Sequence, residues 1–137
     1  MAEILSFNTL FQYDTRKSGI TVPVRLEWGG KRTEFKAKVD SGSSACIFAR
    51  NYGEDLGLDI ENGSPQRFDT VTGGFLTYGH EVTLVTPGVD LITTVYFAAN
   101  AAFSRNVLGR QGWMDRIRLG LVDHEGKLYL SDYNAPV

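Results

Sequence analysis

The run with the greatest chemical potential is Val39-Asp40-Ser41-Gly42-Ser43-Ser44. A carboxylate placed directly after an apolar stretch can give or take a proton, provided a tight loop fixes its orientation. Ser41 and Ser43 bring hydroxyls for that purpose, and the loop's amide groups bring further donors. Gly42 allows a positive φ or a close approach of backbone to another group. An Asp-Ser-Gly turn of purely structural use needs the same residue types, so the run alone leaves both readings open.

Elements on either side must hold this loop. Thr21–Trp28 alternates strictly, with Val22, Val24, Leu26 and Trp28 on one face and Thr21, Pro23, Arg25 and Glu27 on the other. That period predicts a half-buried strand, with Gly29-Gly30 as a hairpin turn and Pro23 marking a sheet edge. The return strand sets Phe35, Ala37 and Val39 on its inner face and delivers the chain to Asp40. Residues 49–56 predict a short helix ended by Gly57, and 61–66 a polar loop. A second hairpin spans 67–72 and 75–85 around Gly73-Gly74, and Pro87-Gly88 turns into a strand over 91–98. Residues 106–110 form a short apolar strand entering a short helix through Arg116. The last two strands, Ile117–Val122 and 127–130, flank the turn Asp123-His124-Glu125-Gly126. Residues 1–137 thus read as a single mostly-β domain with one or two short helices.

Three segments, taken in chain order, resemble the aspartic protease family and are most similar to its retroviral-like, retropepsin branch. They are the Asp40-Ser41-Gly42-Ser43-Ser44 loop with the apolar Ala45-Cys46-Ile47-Phe48 after it, the Gly-tipped hairpin around residues 70–78, and Asn106-Val107-Leu108-Gly109-Arg110. The resemblance covers residues 20–131 and implies an all-β, closed-barrel-like acid protease fold. It also implies that Asp40 is the catalytic carboxylate and that Ser41 bonds across a dimer axis. Gly42 would let the loop approach the substrate, and Ser43 would bond the outer oxygen of Asp40. Thr72, Gly73, Gly74 and Phe75 would form a flap over the substrate, with Leu108-Gly109 packed beneath the loop. One position departs from the retroviral pattern: Ser44 stands where an acidic residue usually pairs with the arginine matching Arg110.

The family's chemistry uses two carboxylates about 3 Å apart that share one proton, one activating water and the other protonating the carbonyl. No second Asp-Ser/Thr-Gly triplet occurs in the chain, so the second carboxylate would come from another copy. The implied function is an aspartic endopeptidase acting as a homodimer on peptide or protein substrates, with neither metal nor cofactor. Two rivals compete with it. One is a dimeric module of the same fold that binds extended peptide without cutting it. The other is an unrelated small β-barrel with Asp40 in an ordinary turn.

Other candidate sites are weaker. Cys46 lies within an apolar run and reads as a buried structural thiol rather than the partner of His80 or His124. Two histidines without a cluster make no zinc site, and the glycine pairs lack nucleotide-binding spacing. Gly42-Ser43-Ser44-Ala45 fails the nucleophile-elbow pattern at its last position. Asp69 and Asp90 lack a following glycine and read as surface or flap-base residues, His80 and His124 as turn or surface residues, and Trp28 and Trp113 as core. The formal net charge of −2 and the absence of a basic stripe argue against nucleic acid. A single cysteine fits a reducing compartment, and neither a signal peptide nor a membrane-length apolar stretch is visible. The expectation is a soluble, cytoplasmic protein.

Overall fold

The computed structural model describes residues 1–136. In chain order the strands are β1 (Thr9–Gln12), β2 (Thr21–Trp28), β3 (Lys31–Val39), β4 (Ile47–Phe48), β5 (Ser64–Thr70), β6 (Gly73–Thr86), β7 (Val89–Ala98), β8 (Val107–Leu108), β9 (Ile117–Val122) and β10 (Lys127–Asp132). One α-helix, α1 (Arg50–Asp55), follows β4. Short 3₁₀ turns cover Ile60–Asn62, Met114–Arg116 and Asp123–Glu125. The short helix expected before Arg116 is therefore a single 3₁₀ turn.

The alternation in β2 is realised with Val22, Val24 and Leu26 buried, but Trp28 is 45% exposed. Its place beside the Gly29-Gly30 turn carries it past the edge of the core, which corrects the expectation of a buried tryptophan. Gly29 and Gly30 have φ of 58° and 77°, the two consecutive left-handed residues that a tight primed hairpin turn demands. In α1 the amide of Gly57 donates to the carbonyl of Glu54 at 2.9 Å, and Gly57 sits at φ 78°, a left-handed helix end.

The larger sheet is mixed, with strand order β2-β3-β8-β4-β7-β6-β5. β3 pairs with β8 in parallel, and β4 with β7 likewise, while the hairpins β2–β3, β5–β6 and β6–β7 are antiparallel. The sheet curls until Arg25, Leu26 and Glu27 of β2 also pair with Val85, Leu84 and Thr83 of β6. A closed barrel is not formed. The links through β4 and β8 are one or two residue pairs long, and β5 is bonded on one side only. Pro23 lies outside the stretch of β2 paired with β6, so its missing N–H interrupts no ladder there. β1, β10 and β9 form a separate three-stranded antiparallel sheet.

Both sheets contribute to one core. Leu26, Phe48, Leu84, Phe97, Leu108, Trp113, Leu128 and Leu130 are all completely buried. Each such side chain stabilises the fold by about 1.5–3 kcal/mol through removal of apolar surface from water. Trp113 satisfies its indole N–H by donating to Thr86 Oγ1 at 3.1 Å, so the largest core side chain carries no unpaired polar atom. No helix among the described residues is long and apolar enough to cross a membrane.

Candidate active site

β3 ends at Val39, and the Asp40 loop begins where that strand has just paired in parallel with β8. The Asp40 amide donates to the carbonyl of Leu108 at 2.9 Å. Two residues further on, the amides of Arg110 and Gln111 donate to the carbonyls of Ser43 and Ser44, each at 2.9 Å. Backbone on both sides of Gly109 thus clamps the loop. The approach is so close that a Cβ at Gly109 would lie 2.2 Å from the carbonyl oxygen of Ala45 and 2.7 Å from that of Ser43. Only glycine fits there.

Within the loop the Gly42 amide donates to Asp40 Oδ1 at 2.9 Å, and the Ser43 amide to the Asp40 carbonyl at 3.1 Å. Asp40 Oδ2 has no hydrogen-bond partner among the described residues, and the side chain is partly exposed. One oxygen is therefore fixed by backbone, and the other is open to water or to a second carboxylate. The hydroxyl of Ser43, expected on the outer oxygen of Asp40, instead donates to the Ala45 carbonyl at 2.7 Å. That bond tightens the loop's own turn and leaves the carboxylate free. Ser41 is exposed at the loop's outer surface.

A cleft of about 280 Å³ lies beside this loop, and its walls include Asp40, Ser43, Phe68, Phe75, Phe103 and Arg105. The turn-proximal half of the β5–β6 hairpin supplies one wall. Phe68 meets Tyr96 edge-on at 5.4 Å, and Phe75 stacks on Phe103 at 5.0 Å. Phe68, Asp69, Thr70 and Phe75 of the hairpin line the cleft with Asp40, but the hairpin's tip is not at Gly73-Gly74. Thr70 pairs with Gly73, so the turn is made by Val71 and Thr72. Gly73 follows at φ 127°, a conformation closed to other residues, while Gly74 pairs with Asp69 inside the ladder. Of the four residues expected to cover a substrate, Phe75 alone lines the cleft with Asp40. Thr72, Gly73 and Gly74 extend beyond it toward the exposed end.

Asp69, read from the sequence as a surface or flap-base residue, lines the cleft, and so do Phe68, Phe103 and Arg105, which escaped the sequence reading. Topology brings them together, and no local periodicity marks them. Arg110 is exposed and has no ion-pair partner among the described residues, as the serine at position 44 implies. Cys46 is completely buried behind the loop, and burial pushes its thiol up to about 12. It therefore stays neutral and unreactive near pH 7. His80, on β6 rather than in a turn, places Nε2 2.9 Å from the Ile60 carbonyl. Among the described residues no three His, Cys, Asp or Glu side chains converge to hold a metal ion.

No protein-family model matches the chain, and no curated protein matches it.

Proposed function

We propose that the chain is one subunit of a homodimeric aspartic endopeptidase of retropepsin type. The observation that carries this reading is the Asp40 loop: three backbone bonds from residues on β8 and just after it, or to them, hold it beside a cleft, while Asp40 Oδ2 stays unpartnered. A carboxylate held this way keeps one orientation without spending its outer oxygen on the protein. In the dimer, two such oxygens would face each other across a twofold axis and share one proton. The ionised member takes a proton from water as that water attacks the peptide carbonyl. The protonated member donates to the carbonyl oxygen, and collapse of the tetrahedral species transfers a proton to the leaving amine. The aromatic walls Phe68, Phe75 and Phe103 would exclude bulk water and take apolar side chains of an extended substrate.

The free outer edge of β5 favours one alternative within the same frame, a module that captures extended peptide by strand pairing without cutting it. Digestion of a peptide library by wild-type and Asp40→Asn protein separates the two. The endopeptidase reading expects cleavage that drops at least about a thousandfold in the variant. Folding should be preserved, because an asparagine Oδ1 can still accept the Gly42 amide. Binding without cleavage by the wild type would favour the alternative.

A further inference from the structure

A second concavity, about 460 Å³, adjoins the first and shares Asp40, Arg105 and Val107 with it. Its charge is strongly one-sided. Lys36 and Lys38 project from the same face of β3, two residues apart as the strand period requires, and Arg105 enters from the segment before β8. Asp40 is the only acidic residue on its walls. None of the three cations forms an ion pair among the described residues. Lys38 is also held in place. A Cβ at Gly19 would lie 2.8 Å from its Cδ, so the aliphatic stem runs across the bare backbone of that glycine.

Three unpaired cations around one hollow repel each other and raise the local positive potential, a state that an incoming anion relieves. Because the hollow opens directly off the Asp40 cleft, an extended peptide lying across Asp40 would place a neighbouring side chain in it. We infer that Lys38 and Arg105, supported by Lys36, form a specificity subsite for an acidic side chain next to the bond to be cut. This inference rests on the endopeptidase reading for its position in the substrate but not for its chemistry, which is recognition of an acidic peptide.

The test compares matched peptides that carry Glu, Gln or Leu beside the cleaved bond. For the wild type, kcat/KM should favour Glu over Gln by about tenfold, the size expected of charge pairing at a partly exposed site. The ratio should shrink with added salt. It should fall to about one in the Lys38→Met, Arg105→Gln double variant and survive in Lys38→Arg. Efficient cleavage with no Glu preference overturns the subsite and leaves the endopeptidase reading intact. Binding of the Glu and Gln peptides, measured on Asp40→Asn protein by calorimetry, provides a readout that needs no turnover. A Glu preference there, lost in the triple variant with Lys38→Met and Arg105→Gln, supports the subsite even if no peptide is cut. Equal binding of both peptides overturns it.

Discussion

Two hairpins of this chain end up in opposite physical states. In β2–β3, Val22, Val24, Leu26 and Ala37 are at most 2% exposed, and β3 leads straight into the clamped Asp40 loop. In the outer part of β5–β6, residues 69–74 are all exposed, Val71 fully so, and only Phe68 and Phe75 anchor the base against aromatic neighbours. A hairpin with one face in the core opens only when the core does. One held by a few rings at its base opens at much lower cost. We read the two sides of this cleft as a fixed floor and a separable cover. Such a division suits a site that must hold a carboxylate still while admitting a polypeptide.

The largest effect is expected at the floor. Gly109→Ala would push a methyl group into the carbonyls of Ala45 and Ser43, backbone atoms that cannot swing aside. A loss of about 3 kcal/mol or outright misfolding is expected, read by urea unfolding. A stable, active Gly109→Ala protein would mean that the clamp is looser than the contacts imply.

At the cover, Gly73→Val meets no neighbour within 4 Å but forces a branched residue to φ 127°. Stability should fall by about 1–2 kcal/mol. Activity should fall further, by about ten- to a hundredfold, because the hairpin's path over the cleft changes. If activity and stability fall together in strict proportion, the hairpin is scaffold rather than cover.

Cys46, in the floor, gives a smaller and pH-dependent signal. Its folded pKa of about 12 lies above the ordinary value of about 8.5, so the folded state retains a proton that the unfolded chain releases. The resulting stability term is fully present below about pH 8.5 and is lost as pH rises toward 12. One unit above the ordinary pKa the loss is on the order of 1 kcal/mol. Cys46→Ala should remove this part of the alkaline slope, and native wild type should resist alkylation at pH 8 unless it unfolds. Rapid alkylation of folded protein would show that the floor opens locally.

Much of the frame was legible because it is local. The period of β2, the Gly29-Gly30 turn, the Gly57 helix end and the β9–β10 pair each declare themselves within a dozen residues. β1 did not, since Thr9–Gln12 is short and its partner, β10, lies at the other end of the chain. The hairpin tip was misplaced because Gly73-Gly74 looks like a turn. In fact Gly73 follows the turn with a positive φ that glycine adopts freely, and Thr70 Oγ1 donates to its carbonyl at 2.6 Å. In the candidate site, the Asp40 loop and its Leu108-Gly109 support could be read from residue types. Arg105, Phe68 and Phe103 could not, because parallel pairing of β3 with β8 and the fold of β5 over β7 bring them to Asp40. The role expected of Ser43 failed for a geometric reason: its hydroxyl reaches the carbonyl two residues ahead before it reaches the carboxylate.

The central claim is that one active centre needs Asp40 from two chains, and mixing tests it most directly. Wild-type subunits are equilibrated with increasing fractions of Asp40→Asn subunits at constant total concentration, with sedimentation confirming free exchange into dimers. A shared pair predicts that activity follows the square of the wild-type fraction, because every mixed dimer carries a single carboxylate. Dilution of the wild type alone should lower specific activity in step with the loss of dimer. Activity proportional to the first power of the wild-type fraction, or undiminished in a sample shown to be monomeric, would contradict the account.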